Sequence, residues 1–561
     1  MVCFNSSLVR NKMFFGLLLL IVLKSYVLTS QENFSSKLSA TTKEKLKILA
    51  VYHHPGKSHF DFSKPLLEEL AHRGHEMTVI SYFPRNVNLT ETGVILNYKD
   101  INLSGSLNKW INVIDLATID SYSINRILME IFQLRQWSLD ACKAALNNPD
   151  VRALIKSDKK FDLILVEEFN SDCFLGFIHR FPVPFISISA HKIMPWANQR
   201  MGNPDNPSYI PSINLGLSSK MNFIERTVNT AILNYLKFLY DTAFLWSTQR
   251  IVEDAFGPGV PPLGEIGKKS SGLLTNTHFS LFGARPLIPN VIEVGGLHIR
   301  DVKPLPDDIN KFLNEASEGV LLFSWGSMVK ASSLPKEKLS KILRVIASIP
   351  RKVIWKWEVS EIPERPKNLM IVEWLPQFDI MNHPNVKAYL SHGGLLGLSE
   401  GVYVGIPMVI VPMYGDQFHN AAAAAARGAA VIVRYDELDE ITLKSALDKV
   451  FNDTRYQENA RALSRAYRDR PASPLETAVW WSEFIARGNG RPYLRSEGAD
   501  LPWYQYYLLD VFLFLTVILL TAFYATYRLM KFLLFLCCFR KSCKTTESSS
   551  AIGKKTKRKN E

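Results

Sequence analysis

Between Trp374 and Gln417 the chain brings together an aromatic side chain, a glycine turn, a carboxylate and an Asp-Gln pair, in the segment WLPQFDIMNHPNVKAYLSHGGLLGLSEGVYVGIPMVIVPMYGDQ. An aromatic face can stack on a flat heterocyclic ring. Glycines allow a phosphate to approach the backbone closely. A carboxylate next to an amide suits the hydroxyl groups of a sugar, and the combination therefore predicts a site for a nucleotide sugar.

The glycine turn is predicted to join a strand to a helix. Residues 386–390 are a short apolar run typical of a buried strand, and residues 395–404 predict a helix that ends at Gly405. The free N–H groups and the positive dipole end at the start of that helix make the turn at 391–394 a candidate anion site. His392 lies in this turn, where it could contact the anion.

The Asp-Gln pair follows a second apolar run. Residues 407–413 predict another strand, and Asp416 and Gln417 come just beyond its carboxyl end. Open α/β sheets bind their ligands at that edge. These residues also leave a purely structural alternative open, in which the glycines only turn the chain and Asp416 only caps a helix through the alanines at 421–426.

The segment as a whole resembles the signature of the UDP-glycosyltransferases, the family that includes the UDP-glucuronosyltransferases. The version LSHGGLLGLSEGVYVGIPM is similar to that of arthropod members, and the resemblance runs from LKILAVYHHPGKSHF to the C-terminal apolar segment. It implies an α/β protein of the GT-B fold, with two Rossmann-like domains facing a cleft. It also implies stacking on uracil by Trp374, a base or ribose contact by Gln377, diphosphate contacts by Ser327, His392, Gly393 and Gly394, a ribose contact by Glu400, and sugar hydroxyl contacts by Asp416 and Gln417.

Two departures from the vertebrate pattern bear on the donor. Leu396 stands where vertebrate members carry asparagine, and Lys356 stands where they carry an arginine near the base. The arthropod relatives commonly use UDP-glucose, and the sequence offers no dedicated partner for a glucuronate carboxylate, so UDP-glucose is favoured over UDP-glucuronic acid. Either UDP-sugar is a co-substrate, so no cofactor is expected. The chain contains no Asp-x-Asp motif, which predicts catalysis without a metal.

His59 is the candidate general base. It follows a predicted strand at 46–52 in the motif PGKSHF and precedes a helix, which predicts a position at the carboxyl edge of the first sheet. An imidazole can take a proton from an attacking hydroxyl near neutral pH, and the resemblance aligns His59 with the family's catalytic histidine. The alternative is a surface turn histidine, which is the interpretation given to His53, His54, His72 and His75.

A histidine base needs a carboxylate that holds its tautomer and stabilises the imidazolium. The segment FDLILVEEFNSDC offers Glu167 and Asp172 beyond a predicted strand at 161–166. The resemblance aligns Glu167 with a position that is aspartate in the vertebrate glucuronosyltransferases. Glu167 therefore ranks ahead of Asp172, and a solvated loop carboxylate is the alternative for either.

Length, composition and charge indicate a globular protein and do not indicate a nucleic-acid-binding one. A chain of 561 residues with 47% hydrophobic residues is long enough for two globular domains with sizeable cores. The formal net charge of +13 does not indicate nucleic-acid binding, because residues 540–561 alone hold eight basic and two acidic residues. Nearly half of the excess positive charge therefore belongs to a C-terminal tail.

Two apolar segments predict a membrane protein. Residues 1–30 have the pattern of a cleaved signal peptide, with an uncleaved N-terminal anchor as the alternative. Residues 507–527 are long enough to cross a bilayer, and the positive-inside rule then places the basic tail at 528–561 in the cytosol. The catalytic body would face the lumen as part of a single-pass type I protein.

The C-terminal lysines predict retention in the endoplasmic reticulum. Lys559 and Lys557 stand third and fifth from the end, similar to dilysine-type signals, and a plain basic tail is the alternative. A lumenal body is also compatible with the sequons at Asn33, Asn88, Asn102 and Asn452.

Cysteine is sparse in this chain. Cys142 and Cys173 would both be lumenal, and their spacing leaves open whether they pair or remain buried thiols. Three more cysteines would be open to acylation beside the membrane: Cys537, Cys538 and Cys543.

The alternation of short strands and helices predicts two α/β domains with parallel sheets. Residues 31–285 would form the acceptor domain and residues 307–500 the UDP-sugar domain. The proline- and glycine-spaced run at 286–306 is interpreted as the linker between them. Residues 217–256 predict a long amphipathic helical region, and the WWSEF run at 480–484 predicts a helix that returns to the first domain.

These inferences combine into one hypothesis, an inverting transfer of glucose or glucuronic acid to a hydroxyl of a small lipophilic acceptor, with His59 as the base. The acceptor class follows from the resemblance alone. A catalytically inactive lumenal binding protein and a lipid or protein glycosyltransferase are the alternatives. The expected partners are the UDP-sugar, the acceptor and the membrane, with homo-oligomer formation left open and no nucleic acid.

Overall fold

The computed structural model describes residues 45–85, 97–107, 114–119 and 121–555. The predicted signal peptide, the sequons at Asn33 and Asn88 and the two C-terminal lysines lie outside the described residues. The chain divides into two compact units, Met1–Leu494 and Arg495–Glu561.

The first unit is built on parallel strands. In chain order they are β1 (Lys47–Val51), β2 (Glu76–Ser81), β3 (Tyr98–Asn102), β4 (Ile114–Asp115), β5 (Leu163–Glu167), β6 (Phe185–Ser189), β7 (Gly272–Thr275), β8 (Val291–Glu293), β9 (Val320–Ser324), β10 (Val329–Lys330), β11 (Lys352–Lys356), β12 (Leu369–Val372), β13 (Val386–Ser391), β14 (Met408–Ile410) and β15 (Ala430–Ile432). One sheet has the order β3-β2-β1-β5-β6-β7-β8, the second has the order β12-β11-β9-β13-β14-β15, and β4 pairs with β10. These pairings are parallel, as the alternating pattern of strands and helices predicts.

Helices cover both faces of each sheet and complete the apolar cores. In the first half of the unit they are Lys57–His72, Ile124–Asn147, Pro149–Lys156, Gly176–Arg180, Pro195–Met201, Phe223–Leu239, Leu245–Phe256, Leu263–Gly267 and Phe279–Phe282. In the second half they are Asp307–Asn314, Lys336–Ser348, Gln377–Met381, Leu395–Val404, Gln417–Ala426, Glu440–Asn452, Thr454–Arg468 and Pro474–Arg487.

Burial on both faces explains why the strands are apolar along their length. Ile48, Leu49, Ala50 and Val51 of β1 are all fully buried, which is expected of a strand in the middle of a parallel sheet. Because β1 and β5 are neighbours in register, with Val51 beside Val166, their carboxyl ends lie side by side. The residues that follow these two strands are thereby brought together.

Two segments differ in detail from the sequence prediction, and a third agrees with it. The run at 286–306, interpreted as a linker, contributes β8 to the first sheet, since Val291 pairs with Leu273. The prolines and glycines in this run predict a loop, and the strand between them has only three residues, too few to show a strand pattern. The predicted helix at 217–256 is two helices joined by a π-helical turn at Tyr240–Phe244. The helix Pro474–Arg487, as the WWSEF run suggested, packs on the first sheet through residues including Val479.

A disulfide joins Cys142 and Cys173. It connects the helix Ile124–Asn147 to the turn that follows β5, and so decides between the alternatives that the spacing left open. The disulfide therefore restrains the chain close to the segment that carries Glu167 and Asp172.

The second unit, Arg495–Glu561, consists mainly of one long helix. Helix Trp503–Tyr506 precedes it, and Leu509–Lys555 follows as a single helix. Within the described residues, Leu509–Arg540 is the one helical stretch long and apolar enough to cross a membrane. This stretch extends past residue 527, because the chain is apolar again after Arg528 and Lys531 and meets no glycine or proline before Gly553.

Candidate active site

A cavity of about 770 Å³ lies between the carboxyl ends of the two sheets. Residues from both halves of the first unit line it, and they include ten of the residues singled out by sequence: His59, Ser327, Lys356, Trp374, Gln377, His392, Gly394, Glu400, Asp416 and Gln417. Most of the residues that the sequence singled out therefore line one cleft. Three further candidates, Glu167, Gly393 and Asp172, are not among the residues that line it.

His59 and Glu167 form a hydrogen-bonded pair at the carboxyl edge of the first sheet. His59 is in the first turn of helix Lys57–His72, and Glu167 is the last residue of β5. The His59 Nδ1 atom lies 3.0 Å from Glu167 Oε1, and the backbone N–H of His54 donates to Glu167 Oε2 at 3.0 Å. Because a carboxylate can only accept, the proton sits on Nδ1 of the neutral ring and Nε2 is left as a base.

The carboxyl group of Glu167 is ionised throughout the neutral range. Burial favours its neutral form, but the hydrogen bond with His59 and the nearby imidazoles of His53 and His54 outweigh that effect, and the pKa of Glu167 falls to about 2. A fixed negative charge behind the imidazole stabilises an imidazolium. The pair thus has the geometry and charge of a general base with its orienting group.

Asp172 does not serve His59, and this alternative from the sequence is corrected. Its carboxylate is buried and forms a bidentate pair with the guanidinium of Arg200, with Asp172 Oδ1 2.8 Å from Arg200 Nη1. The chain has already turned away from the sheet edge at Asp172, which precedes the turn Cys173–Leu175. Arg200 is 28 residues distant in sequence, and no local pattern pointed to it.

The Asp172–Arg200 pair is expected to act on stability. Asp172→Asn removes one charge of a buried pair, which should lower the free energy of unfolding by about 3–5 kcal/mol. The midpoint of thermal inactivation in membranes measures the effect. The control is Asp158→Asn, because Asp158 is fully exposed and its 4.0 Å contact with Arg180 should leave the midpoint almost unchanged. Equal midpoints for the two variants would contradict this assignment.

The glycine turn before helix Leu395–Val404 surrounds His392. Gly393 has a φ of +84°, in the left-handed region that favours glycine. A Cβ on Gly394 would collide with the His392 ring. Burial and the positive charge of Lys356 lower the pKa of His392 to about 4. His392 is therefore neutral, and its buried Nδ1 has no hydrogen-bond partner among the described residues.

Trp374 presents its ring to the cavity with two cations nearby. The side chain is 58% exposed, although it is one of the larger apolar groups in the chain. Lys57 Nζ, from the first half of the unit, lies 5.6 Å from the ring centroid, and Lys356 Nζ lies 5.7 Å from it. An exposed indole in a cleft is suited to stacking on a flat base.

Gln377 and Glu400 are joined by a hydrogen bond below Trp374. Gln377 Nε2 donates to Glu400 Oε2 at 2.6 Å, and Tyr389 OH donates to Gln377 Oε1 at 3.4 Å. Burial raises the pKa of Glu400 to about 7, and the bond from Gln377 opposes only part of this shift. Glu400 therefore titrates in the pH range in which an enzyme would be assayed.

Asp416 and Gln417 form the far side of the cleft. Asp416 Oδ2 accepts from Asn420 Nδ2 at 2.9 Å, and its side chain makes no N-cap hydrogen bond among the described residues. The capping alternative is therefore not what the structure shows. Gln417 Oε1 accepts from the backbone N–H groups of Met413 and Tyr414 at 2.8 and 3.0 Å, which leaves the NH₂ group of Gln417 to act as a donor.

Comparison with known proteins matches this chain to a family over most of its length. The family model described as "UDP-glucoronosyl and UDP-glucosyl transferase" matches residues 47–545. The chain belongs to the UDP-glycosyltransferases. The resemblance read from the signature segment is confirmed, and the protein is an enzyme that uses a UDP-sugar.

Curated UDP-glycosyltransferases from an insect and from humans match nearly full length. The chain is 39% identical over 487 residues to "UDP-glycosyltransferase UGT5" of Dactylopius coccus, covering 84% of this chain and 89% of the relative. It is 34% identical over 514 residues to human "UDP-glucuronosyltransferase 2B15", covering 89% of this chain and 94% of the relative. Relatives of both the insect and the vertebrate type therefore align with most of its length.

Solved glycosyltransferase structures share the fold of this UDP-glycosyltransferase. The glycosyltransferase of kitacinnamycin superposes with a TM-score of 0.52 at 19% identity, covering 80% of this chain and 99% of that one. VinC in complex with dTDP gives a TM-score of 0.52 at 16% identity, covering 79% and 100%. The predicted GT-B fold is confirmed.

The structure also brings residues to this UDP-glycosyltransferase site that the sequence did not suggest. His53, His54 and His75, interpreted as surface turn histidines, are buried. Of these, His54 lines the cavity and lies 4.5 Å from the His59 ring, centroid to centroid. The three residues sit at strand edges, where the apolar pattern stops but burial does not, and this is why periodicity missed them.

A bridge between the two halves holds the loop before Asp416. Glu130 lies on helix Ile124–Asn147, and its Oε2 accepts from the backbone N–H of Gly415 at 3.2 Å. Arg126 on the same helix donates to the carbonyl of Met413 and to Glu130 Oε1. The two positions are nearly three hundred residues from their partners, and only the tertiary structure reveals the contact.

Proposed function

We propose that this UDP-glycosyltransferase transfers glucose from UDP-glucose, with inversion, to a hydroxyl group of a small lipophilic acceptor. The observation that carries the proposal is the His59–Glu167 hydrogen bond, which leaves Nε2 of His59 free as a base in the cavity that Trp374 and Asp416 also line. Base and donor-binding groups then share one site, as a direct displacement needs.

The reaction follows from these groups. His59 Nε2 takes the proton of the acceptor hydroxyl as its oxygen attacks the anomeric carbon. The bond from that carbon to the β-phosphate oxygen breaks, UDP leaves with the electron pair, and attack from the opposite face gives a β-glucoside. Glu167 stabilises the imidazolium that forms.

The leaving group meets positive potential at the glycine turn. UDP gains charge as it departs, and the N-terminus of helix Leu395–Val404 offers backbone N–H groups and the positive dipole end there. His392, beside Gly394, would contact the diphosphate together with Ser327. Trp374 would stack on uracil, and Gln377 would contact the base or ribose. The remaining contacts with the donor would come from Lys356, Gly393, Glu400, Asp416 and Gln417.

The charges around the cavity favour a neutral donor sugar. Three of its cations are already paired: Lys57 with Asp61 at 2.7 Å, Lys356 with Glu358 at 3.0 Å, and Arg300 with Asp379 at 2.6 Å. The carboxyl group of Asp416, proposed to hold sugar hydroxyls, would repel a glucuronate carboxylate. Glucose carries only hydroxyls and meets no such penalty.

Catalysis is expected to be independent of a divalent metal. Dialysis against excess EDTA should leave the initial rate unchanged, because the helix N-terminus offsets the charge on UDP and the neutral His392 can donate a hydrogen bond to it, without a bridging cation. Initial rates before and after dialysis test this. A loss of activity that Mg²⁺ or Mn²⁺ restores would contradict it.

The affinity for UDP-sugar is expected to depend on the ionisation of Glu400. Ribose hydroxyls donate to the carboxylate, and burial raises the pKa of Glu400 to about 7. The binding form is therefore lost as pH falls through 7, so KM for UDP-sugar should rise about tenfold from pH 8 to pH 6. Glu400→Gln should flatten this dependence and Glu373→Gln, which replaces an exposed carboxylate next to Trp374 in sequence, should retain it. A flat wild-type profile would contradict the role.

The site is proposed to face the lumen of the endoplasmic reticulum on a single-pass protein. The apolar helix Leu509–Arg540 supports the anchor, and the basic tail with Lys557 and Lys559 supports the orientation and the retention. Trypsin treatment of sealed microsomes should remove a C-terminal tag and leave the body protected. Digestion of the body in sealed microsomes would overturn the orientation.

The test of the proposed function is product formation by membranes that express the full chain. A panel of phenolic acceptors is supplied with UDP-glucose or UDP-glucuronic acid in parallel. Turnover with UDP-glucose is the expected result. Turnover with UDP-glucuronic acid only would overturn the donor assignment, and activity on lipid extracts alone would overturn the acceptor class.

A further inference from the structure

A second imidazole stands in the wall of the cavity beside the base. His191 follows β6, the neighbour of β5 in the sheet, and its ring lines the cavity. The ring centroid of His191 lies 5.5 Å from that of His59, and Phe169 packs against both, at 4.8 Å from His191 and 4.6 Å from His59. The arrangement puts His191 at the acceptor end of the cavity, next to the reacting hydroxyl.

The tautomer of His191 is set by its neighbours. Its Nδ1 lies 2.9 Å from the carbonyl oxygen of Lys192 and 3.0 Å from Ser189 Oγ, which itself donates to the carbonyl of His191. A carbonyl oxygen can only accept, so Nδ1 carries the proton. Burial lowers the pKa of His191 to about 3, and the ring is therefore neutral. Its Nε2 is left with a lone pair and can only accept.

That acceptor atom is unsatisfied. His191 is 5% exposed, and its Nε2 is buried without a hydrogen-bond partner in the part of the chain that the structure describes. Leaving a buried acceptor unpaired costs free energy, and native proteins do so rarely. A ligand that brings an O–H group to this point would remove the cost.

We propose that the acceptor site selects compounds with hydroxyl groups on two adjacent carbons, above all catechols. The attacking hydroxyl gives its proton to His59, and its neighbour donates a hydrogen bond to Nε2 of His191. The ring centroids are only 5.5 Å apart, so the two hydroxyls of one small diol, each with a hydrogen bond of about 2.8 Å, can reach both rings. The inference rests on the proposed function and names its substrate class.

The rest of the acceptor end suits an aromatic ring. Leu134, Phe169, Met194 and Ile213 line the cavity and belong to one apolar cluster, which would bury the carbon face of a catechol. A phenol has a single hydroxyl and leaves His191 unpaired. In 2-methoxyphenol, the ether oxygen has no proton to donate. It would face Nε2 of His191, and two hydrogen-bond acceptors would then repel each other. The site therefore favours catechol because catechol gains a hydrogen bond to His191, and it disfavours the other two compounds because they lack the second O–H donor.

The experiment compares three acceptors with the full-length enzyme in membranes: catechol, phenol and 2-methoxyphenol. For wild type, kcat/KM for catechol should exceed that for either of the others by about tenfold or more, beyond the factor of two for its equivalent hydroxyls. Phenol is smaller than catechol, and its inclusion separates the missing donor from the bulk of the methoxy group. This comparison needs no variant, so misfolding cannot obscure it.

Two variants assign the preference to His191. His191→Leu should bring the ratio of catechol to phenol close to the statistical factor, by lowering kcat/KM for catechol. His191→Gln retains an acceptor oxygen and should restore part of the ratio. Because each ratio is taken within one enzyme, a change in the amount of folded protein cancels.

Three outcomes would overturn the inference. Equal kcat/KM for the three acceptors in wild type would remove the catechol preference while leaving the proposed function intact. An equal loss for all acceptors in His191→Leu would make His191 a structural residue only. Absence of transfer to any acceptor, with either UDP-sugar, would overturn the proposed function and this inference with it.

Discussion

His59→Ala is expected to lower kcat by about 10²–10⁴-fold, the usual contribution of a positioned general base. The variant removes the imidazole that lines the cavity and whose Nδ1 is hydrogen-bonded to Glu167. KM for UDP-glucose should change little, since the groups proposed to bind the donor lie on the second half of the unit. Initial rates at saturating donor and acceptor measure the effect.

The matched control for this prediction is His72→Ala. His72 lies on the same helix as His59 but in its exposed last turn. It should retain wild-type kcat, and this result would show that the loss is specific to the cleft. Comparable activity of His59→Ala and His72→Ala would contradict the role of His59 as base.

Glu167→Gln is expected to reduce kcat by about 10³–10⁴-fold, because an amide neither stabilises the imidazolium nor holds the proton on Nδ1. The pKa of Glu167 lies at about 2, so the carboxylate is charged at every pH at which the enzyme would be assayed. Titration of Glu167 therefore adds no pH dependence to wild-type kcat in this range, and the deficit of Glu167→Gln should persist across it. A pH profile of kcat for the variant between 6 and 9 tests this point.

Glu167→Asp separates charge from reach. Aspartate keeps the charge but is one methylene shorter, so the 3.0 Å contacts to His59 Nδ1 and to the backbone N–H of His54 cannot both be kept from the same backbone position. An activity between those of wild type and Glu167→Gln is expected. If Glu167→Gln retained wild-type kcat, the carboxylate would have no part in catalysis.

Much of the fold could be predicted because its signals are local. The apolar run of β1, the amphipathic helix after it and the glycine turn at Gly393 each express a rule that acts within a few residues. The helix Leu395–Val404 has the predicted bounds. The same rules placed the glycine turn and the Asp416–Gln417 pair at the carboxyl ends of two parallel strands, whereas the family resemblance supplied the other candidate donor contacts.

The remainder depended on contacts between distant positions. Glu167 could be separated from Asp172 only by seeing the pairing of Asp172 with Arg200. The three residues of β8 are too few to show the alternation of a strand. The prolines and glycines around them therefore led to the prediction of a linker. The contact of Glu130 with Gly415 leaves no trace in local sequence.

The apolar stretch past residue 527 has a different cause. Two basic residues, Arg528 and Lys531, resemble the start of a cytosolic tail, but the residues that follow them are apolar and favour a continuous helix. A charge pattern alone does not end a helix when no breaker follows it.

The anomeric configuration of the product tests the central claim most directly. The full-length enzyme in membranes is given UDP-α-glucose and catechol, and the glucoside is analysed by proton NMR for the coupling at the anomeric position. We expect a β-glucoside from wild type and from His72→Ala, and almost none from His59→Ala. An α-glucoside, or a β-glucoside formed equally well without His59, would contradict a direct displacement driven by this base.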